Sequence, residues 1–178
     1  GYVPQKAVLF SGDIASNILY GNPEGSEAEM TEAATIAQAT EFIEQKKKKY
    51  KSTISQGGSN VSGGQKQRLS IARAIAKHPD VYIFDDSFSA LDYKTDATLR
   101  AKLKEKTSES TVMIVAQRIS TILHADQIIV LDDGQIVGKG THKELLKNCE
   151  AYYQIASSQL SEKELEEDLK EVESYAKR

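Results

Sequence analysis

The 178-residue chain lacks tryptophan and has one cysteine, three prolines and no long apolar run. Because Cys149 stands alone, an internal disulfide and a metal site built from cysteines are both excluded. The longest apolar run, Val112–Ala116, is far shorter than the about 20 residues of a membrane-spanning helix. These absences indicate a domain of a reducing compartment that does not itself cross a bilayer.

The chain also lacks a surplus of positive charge. Its 23 lysines and arginines are outnumbered by 26 aspartates and glutamates, for a net charge of −3. This balance excludes a generally basic surface, so we expect no nucleic-acid partner. We interpret the basic cluster Lys46–Lys49 as the solvated end of a helix, in preference to a phospholipid or nucleic-acid patch.

The second half of the chain alternates short apolar runs with helical patterns. Such runs are too continuous for half-exposed strands and are typical of parallel strands with helices on both faces. The sequence therefore predicts an α/β fold, with a mainly parallel sheet flanked by helices. An antiparallel hairpin at the sheet edge is expected around Asp133-Gly134. The predicted strands are Val81–Phe84, Val112–Ala116 and Ile128–Leu131.

Helical patterns dominate the region before the first of these runs. Ser26 and Glu29 have the spacing of a capping box, and apolar residues at helical intervals continue to Phe42. A second helix is expected to begin near Ser62 and to stop before Pro79. The region ahead of the first predicted strand is therefore expected to be mainly helical.

The tetrapeptide Ser62-Gly63-Gly64-Gln65 stands at the predicted start of that second helix. Adjacent glycines let a ligand approach the backbone, and the helix directs free N–H groups and its positive dipole end to the same point. The pattern predicts an anion cradle, with the Ser62 hydroxyl as a further donor. A plain Ser-Gly-Gly helix cap explains the four residues about equally well.

Two carboxylates, Asp85 and Asp86, directly follow the predicted strand Val81–Phe84. Ligands of open α/β sheets bind at the carboxyl ends of strands, and a buried carboxylate pair needs a metal or hydrogen bonds to offset its desolvation. A strand-end aspartate is suited to hold Mg²⁺, with the second carboxylate facing a water molecule. The alternative is a strand that ends in an acidic loop.

The order of these motifs resembles the nucleotide-binding domain of an ABC transporter, over about residues 2–155. The resemblance implies ATP and Mg²⁺ as cofactors. Gln5 matches the Q-loop glutamine, a ligand of Mg²⁺ and water that also contacts the membrane domain. The tetrapeptide Ser62–Gln65 matches the signature motif, which grips the γ-phosphate of ATP held by the opposite subunit.

Three further positions and one segment correspond to motifs of the same family, two of the positions with a different residue. Asp85 matches the Walker B aspartate and would share the metal with the Q-loop glutamine. Asp86 stands where a catalytic glutamate is usual, and Gln117 stands where the switch histidine is usual. The segment Ser89–Asp92 matches the D-loop, which would place Asp92 at the nucleotide.

Three segments are similar to the exporter branch of the family in particular, namely Leu9–Gly12, Ala116–Thr121 and Gly140–Leu146. The implied function is part of the ATP-binding and ATP-hydrolysing motor of an exporter, at the cytoplasmic face of a membrane. The implied partners are the coupling helices of a transmembrane domain and a second nucleotide-binding domain. Two alternatives are a non-hydrolysing regulatory nucleotide clamp and a soluble ABC-type ATPase head.

The resemblance also predicts an organisation in four parts. Residues 1–12 would be the Q-loop segment of the ATPase core, and residues 13–78 the helical subdomain with the signature motif. Residues 79–155 would be the RecA-like core with Walker B, the D-loop and the switch loop. Residues 156–178 would be an acidic helical tail, for which a frayed solvated helix is favoured over a partner-binding helix.

The chain has no phosphate-binding loop of the form G-x-x-x-x-G-K-[ST]. In this family that loop precedes the Q-loop, so we expect the chain to be the C-terminal portion of a nucleotide-binding domain. By itself the chain is therefore expected to bind ATP weakly and to be inactive.

Two substitutions weaken the residues that would act on the chain's own ATP. Asp86 is one methylene shorter than the usual glutamate and would polarise water poorly. Gln117 cannot carry a proton or a positive charge as histidine does. Because the signature motif is intact, the pattern resembles the degenerate half of a heterodimeric exporter, whose partner would have Glu and His at these positions. A third substitution places Gln56 where exporters usually carry a glutamate. It removes a negative charge at a position that usually contacts the coupling helices of the membrane domain.

The remaining polar residues of note are assigned structural roles. His78, His124 and His142 are dispersed in the sequence and are expected at the surface or at helix caps. Arg68 and Arg73 are expected to form salt bridges within the helical subdomain.

Overall fold

The computed structural model describes the backbone of residues 1–175 and the side chains as far as residue 169. The described chain divides into two compact units, Gly1–Val115 and the residues from Ala116 onward. This division falls within the predicted core segment 79–155, and the four-part organisation stays a prediction.

Short strands and helices alternate along both units. The strands are β1 (Tyr2–Val3), β2 (Gly12–Asp13), β3 (Thr53–Ile54), β4 (Val81–Asp85), β5 (Thr111–Val115), β6 (Ile128–Asp132) and β7 (Gln135–Gly140). The helices are α1 (Ile14–Ile18), α2 (Glu27–Ile36), α3 (Thr40–Glu44), α4 (Gly63–Ala76), α5 (Tyr93–Lys106), α6 (Ile119–Ile122), α7 (His142–Asn148), α8 (Glu150–Ser157) and α9 (Glu162–Tyr175).

A parallel sheet with the strand order β1-β4-β5 lies at the centre of the first unit. The central strand β4 buries the side chains of Tyr82 and Phe84, and Phe84 packs against Phe88 with ring centroids 5.2 Å apart. The predicted α/β fold with a parallel sheet is therefore confirmed. Because β1 and β4 run parallel, both strands end at the same edge of the sheet, and the residues that follow them lie close together.

The outer strand β5 departs from the expectation that helices cover both faces of every strand. Val112, Met113 and Val115 expose 36%, 56% and 52% of their surface. β5 pairs with β4 along one edge, so its side chains have strand neighbours on one side. The apolar run predicted the strand correctly, but it carried no information on whether the strand lies inside the sheet or at its margin.

The helical part of the first unit forms around α4, which buries a face of leucine, isoleucine and alanine. As predicted, α4 follows Ser62 and ends at Ala76, before Pro79. Its buried face packs against α1 and α2 in one continuous apolar cluster. The small alanines of this face allow the three helices to approach closely.

The helix expected to continue from Ser26 to the lysine cluster is interrupted. The predicted capping box is present, with Ser26 accepting a hydrogen bond from the N–H of Glu29. Gln38, however, has a φ of 56°, a left-handed conformation that ends a helix, and α3 begins anew at Thr40. The lysine cluster then follows α3 as turns, where Lys49 forms an ion pair with a glutamate of α3.

The second unit is built on the hairpin β6–β7 and the helices α7, α8 and α9. The hairpin turns at Asp133-Gly134 as predicted, but β6 and β7 form a two-stranded sheet of their own instead of an edge of the parallel sheet. The core of this unit comprises Ile119, Ile128, Val130, Leu145, Leu146, Cys149, Tyr152, Ala156 and Leu165.

His142 lies inside this second core, so the expectation of a surface or capping histidine is wrong for this residue. It exposes 4% of its surface, with Nδ1 2.7 Å from the Tyr152 hydroxyl and Nε2 3.1 Å from Asp168 Oδ2. Burial, with a smaller contribution from Asp168, raises the pKa of Tyr152 to about 12. The contact fastens α9 to the start of α7.

The acidic tail is thus packed against its own unit as far as its side chains are described. Leu165 is buried, and Leu169 packs against the same cluster. The favoured expectation of a frayed helix is therefore wrong for this part of the tail. Val172, the third member of the predicted apolar stripe, falls outside the described side chains.

Candidate functional site

The residues that follow β1 and β4 meet at the carboxyl edge of the sheet. The amide nitrogen of Gln5, two residues beyond β1, donates to Asp86 Oδ2 at 3.2 Å. Asp85 at the end of β4 accepts a hydrogen bond of 3.1 Å from the Tyr2 hydroxyl, and this bond raises the pKa of Tyr2. Two segments about 80 residues apart in the sequence therefore share one edge, and the Gln5 amide binds Asp86, whereas the Tyr2 hydroxyl binds Asp85.

The backbone of Asp86 is held in an unusual conformation by its neighbours. Its φ of 44° lies in the left-handed region, which is costly for a residue with a Cβ. Its N–H donates to the Val115 carbonyl at 2.9 Å, and its carbonyl accepts the Ser89 hydroxyl at 2.9 Å. The buried Ser87 hydroxyl donates to the Val3 carbonyl at 2.8 Å. These bonds fix where the Asp86 carboxylate can lie.

The oxygen ligands at this edge fit a divalent cation of the Mg²⁺ type. Asp85 offers carboxylate oxygens and Gln5 an amide oxygen, the hard ligands that Mg²⁺ prefers while it keeps several waters, and the adjacent Asp86 carboxylate would face one of those waters. Within the described residues there is no cluster of three or more histidine, cysteine or acidic side chains suited to a metal. A cation here would therefore take its other ligands from water or from phosphate oxygens.

The start of α4 is both capped and open. Ser62 Oγ accepts the N–H of Gln65 at 3.2 Å, and Gln65 Oε1 accepts the N–H of Ser62 at 3.2 Å. A Cβ added at Gly63 would meet no atom within 4 Å, and one at Gly64 would lie 3.4 Å from the Ala90 carbonyl oxygen, an ordinary contact. The chain's own packing thus requires glycine at neither position. The capping role is confirmed, and the helix end remains accessible from outside.

The same helix holds the segment around Gln5 on both sides. The buried side chain of Gln67 donates to the Pro4 carbonyl at 3.1 Å. Arg73, two turns further along α4, donates from Nη1 to the Val8 carbonyl at 3.0 Å. The helix that begins at Ser62 is therefore hydrogen-bonded to the chain immediately before and shortly after Gln5.

Arg73 and Arg68 bind carbonyl oxygens and aromatic rings, so the expected salt bridges are wrong. Arg73 donates to the Asn17 carbonyl and to Asn17 Oδ1, each at 2.9 Å, and lies 4.8 Å from the Phe10 ring centroid. Arg68 donates to the Gln38 carbonyl at 2.7 Å and lies 4.9 Å from the Phe42 ring centroid. Burial lowers the pKa of both guanidinium groups.

Asp92 serves as the N-cap of α5. Its carboxylate accepts the Thr95 hydroxyl at 2.6 Å and the Thr95 N–H at 3.0 Å. These two bonds, with a smaller contribution from Arg68, lower the pKa of Asp92. The residue has a structural role in this chain, and the nucleotide contact assigned to it stays a prediction.

Gln117 belongs to the second unit, in the exposed bend between β5 and α6. Its carbonyl accepts a hydrogen bond of 2.9 Å from Gln159 Nε2. The other amide atom of that side chain, Gln159 Oε1, accepts the N–H of Ile119 at 2.9 Å.

Comparison with known proteins decides the family. The family model described as ABC transporter matches residues 1–89, half of the chain. This chain belongs to the ABC transporter family. An uncharacterized ABC transporter ATP-binding protein of Mycobacterium bovis is 48% identical over 162 residues, which are 89% of this chain and 28% of that protein.

Relatives with an export description match over the same region. A Staphylococcus aureus protein with the provisional name multidrug export ATP-binding/permease protein is 42% identical over 159 residues, 89% of this chain and 28% of that protein. The solved structure of a bacterial Atm1-family ABC exporter with ATP bound matches with a TM-score of 0.87 and 37% identity, over 91% of this chain and 29% of that chain. The fold is that of an ABC nucleotide-binding domain, a type of domain that binds ATP, usually with Mg²⁺. This chain spans 28% of the length of the two curated relatives.

Sequence reasoning missed the residues that hold the ABC motifs in place. Gln67 and Gln159 act through side-chain amides on backbone groups, and Ser87 does so through a buried hydroxyl. A glutamine among the apolar positions of α4 was the one available signal for Gln67. Nothing in the local sequence distinguishes Gln159 from the neighbouring surface glutamine Gln154.

Proposed function

We propose that this chain is part of the ATP-driven motor of an ABC exporter, with a weakened site for its own ATP and an intact signature motif that serves a partner's ATP. One observation carries the proposal. Gly63 has no packing reason to be glycine, yet it lies at an open helix start between Ser62 and Gly64. Such a backbone is suited to the close approach of phosphate oxygens.

The description of the relatives supports export in particular. A relative named for multidrug export and a solved exporter share 42% and 37% of their residues with this chain over the matched regions. No helix within residues 1–175 is long and apolar enough to cross a membrane. Because one of these relatives is named as a permease and the other is an exporter, the proposal includes a transmembrane domain, whose coupling helices would bind this domain at the cytoplasmic face of the membrane.

Hydrolysis of the ATP bound at this chain's own site is proposed to be slow because of two side chains, Asp86 and Gln117. Mg²⁺ at the Asp85 edge would neutralise charge on the phosphates. Asp86 would orient the attacking water, but its side chain is one methylene shorter than that of the glutamate usual in the family. Its backbone is held by hydrogen bonds to Val115 and Ser89, so it cannot shift to make up the difference. Gln117 can donate to a phosphate oxygen but supplies no positive charge.

The start of α4 is proposed to bind the ATP that is held by the partner domain. The free N–H groups of its first turn and the Ser62 hydroxyl would donate to the γ-phosphate of ATP held by the partner. The Ser62 cap is compatible with this role, because Oγ accepts from Gln65 and keeps its own hydrogen for donation. A heterodimer with one weak and one competent site follows.

The chain by itself is proposed to bind MgATP weakly, because residues 1–178 contain no G-x-x-x-x-G-K-[ST] loop. Saturable binding of MgATP to the chain in the micromolar range would contradict this part of the proposal.

A non-hydrolysing regulatory clamp is the second candidate, and Asp86 and Gln117 favour it. In such a clamp ATP would hold the dimer together without turnover. A soluble ATPase head is less well supported, because the relatives quoted above include a permease and an exporter. Turnover by the paired assembly separates the motor from the clamp.

The decisive experiment compares two serines that cap helices in the same way. Ser62 and Ser26 each accept the N–H three residues on at 3.2 Å, so either alanine variant is expected to lose about 1 kcal/mol of stability. In the full-length protein with its partner, Ser62→Ala should abolish MgATP turnover, and Ser26→Ala should leave it near the wild-type value. Equal turnover in the two variants would refute the signature role.

A further inference from the structure

The loop that carries Gln117 leads directly into α6, a helix of four residues. α6 begins at Ile119, and the side chain of its N-cap residue, Arg118, makes no capping hydrogen bond. The first N–H groups of a helix have no partner within the helix. A group from another part of the chain can therefore bind the backbone at this point.

Gln159 supplies that group with both ends of its amide. Oε1 accepts the N–H of Ile119 at 2.9 Å, and Nε2 donates to the carbonyl of Gln117 at 2.9 Å. The two bonds fall on either side of Arg118. A planar amide that holds two backbone groups at once restricts rotation of the peptide units between them.

Gln159 is itself attached to well-packed structure. It follows α8, and its N–H donates to the carbonyl of the fully buried Ala156 at 3.0 Å. On its other side, α9 is fastened by the contact of 3.1 Å between Asp168 and His142. The Gln159 side chain is exposed, but the backbone is held before it by the bond to Ala156 and after it by the packed helix α9.

We propose that Gln159 is a positioning residue that sets the loop carrying Gln117 and thereby directs the Gln117 side chain at nucleotide. The nucleotide role of Gln117 rests on the proposed function. The clamp on the loop, which consists of the two hydrogen bonds from Gln159, does not depend on the proposed function. Because the clamp belongs to the segment that leads into α9, the proposal gives that segment a functional role at the switch loop.

The first test measures backbone amide exchange in the full-length protein, a readout independent of ATP turnover. In Gln159→Ala, exchange of the Ile119 amide should accelerate at least tenfold, because its acceptor is removed. Gln159→Glu keeps an acceptor for Ile119 and loses the donor to Gln117, so the Ile119 amide should stay protected. Gln154→Ala is the matched control, since the Gln154 amide donates to the neighbouring Glu150 side chain at 3.0 Å. Unchanged exchange in Gln159→Ala would overturn the proposal.

The second test measures MgATP affinity in two backgrounds. Gln159→Ala should weaken binding severalfold when Gln117 is present and should add nothing in Gln117→Ala. Equal weakening in both backgrounds would show that Gln159 does not act through Gln117 and would overturn the proposal. If Gln117→Ala binds MgATP like the wild type while the exchange result holds, the nucleotide role of Gln117 is refuted, and the clamp on the loop is confirmed.

Discussion

Gln5 and Asp86 are joined at the carboxyl edge of the parallel sheet by a hydrogen bond of 3.2 Å from the Gln5 amide to Asp86 Oδ2. The bond links the residue proposed to face the membrane domain with the residue proposed to orient water. α4 holds the segment around Gln5 through Gln67 and Arg73. The start of α4, the Gln5 segment and the Asp86 turn are thus connected by side-chain hydrogen bonds within one unit.

The Gln5–Asp86 contact predicts a pH-dependent penalty for Gln5→Glu. Two carboxylates so close together raise the pKa of at least one of them in the folded state, so stability is retained below the unfolded pKa and is lost as the pH rises through the raised value. At neutral pH Gln5→Glu should be less stable than Gln5→Ala by up to about 1 kcal/mol. Thermal unfolding measured from acidic to neutral pH checks this. A difference between the two variants that does not grow with pH would contradict the contact.

Gly63→Ala should separate stability from function. An added Cβ meets nothing within 4 Å in this chain, and alanine loses less backbone entropy than glycine on folding, so stability should be unchanged or rise by up to about 1 kcal/mol. Turnover of the paired assembly should fall at least tenfold, because the methyl group would stand between the backbone and the partner's phosphate. Parallel denaturation and turnover measurements check this, and wild-type turnover would contradict the close approach.

Arg73→Lys should destabilise the first unit by about 2 kcal/mol, because one ammonium cannot replace a guanidinium that reaches several carbonyl oxygens at once. Arg73 donates to Val8 and to two atoms of Asn17. Arg68→Lys is the control, since Arg68 makes one short bond, to Gln38. Chemical denaturation should show the larger loss for Arg73→Lys, and equal losses would contradict the role given to the Arg73 contacts.

The hydrogen bonds that cap α2 and α7 should depend on pH, because each involves a glutamate, whereas those that cap α4 should not. Hydrogen bonds from the backbone and hydroxyl of Ser26 lower the pKa of Glu29, and those of Thr141 lower the pKa of Glu144. Their stabilisation is present above the unfolded value and is lost as the pH falls through the lowered value. The amide resonances of Ser26 and Thr141 should therefore shift with midpoints below 4.5, the ordinary value for glutamate. The Ser62 amide should stay constant, because Gln65 carries no titrating group; a matching titration there would contradict the assignment.

Elements with a local cause were predicted well. The parallel strands follow from continuous apolar runs, and α4 follows from Ser62 at its start and Pro79 beyond its end. The hairpin follows from Asp133-Gly134 at its turn. In each case residues close together in the sequence determine the backbone.

Features that depend on distant residues were not predictable. Gln38 breaks the helix although it is not glycine, and its carbonyl accepts a hydrogen bond from Arg68, 30 residues further along the chain. The burial of His142 depends on its contacts with Tyr152 of α8 and Asp168 of α9. The salt bridges expected for Arg73 were replaced by carbonyl groups that only the folded chain brings within reach. The same holds for the site, because motifs identified Gln5 and Asp86 but only the fold joined them.

The central claim is that Asp86 and Gln117 weaken this chain's own site. The most direct measurement is MgATP turnover by the full-length protein without its partner, as wild type and as Asp86→Glu/Gln117→His. We predict almost no turnover by the wild type and a rise of at least tenfold in the double variant. Brisk turnover by the wild type, with no gain from the double substitution, would contradict the claim.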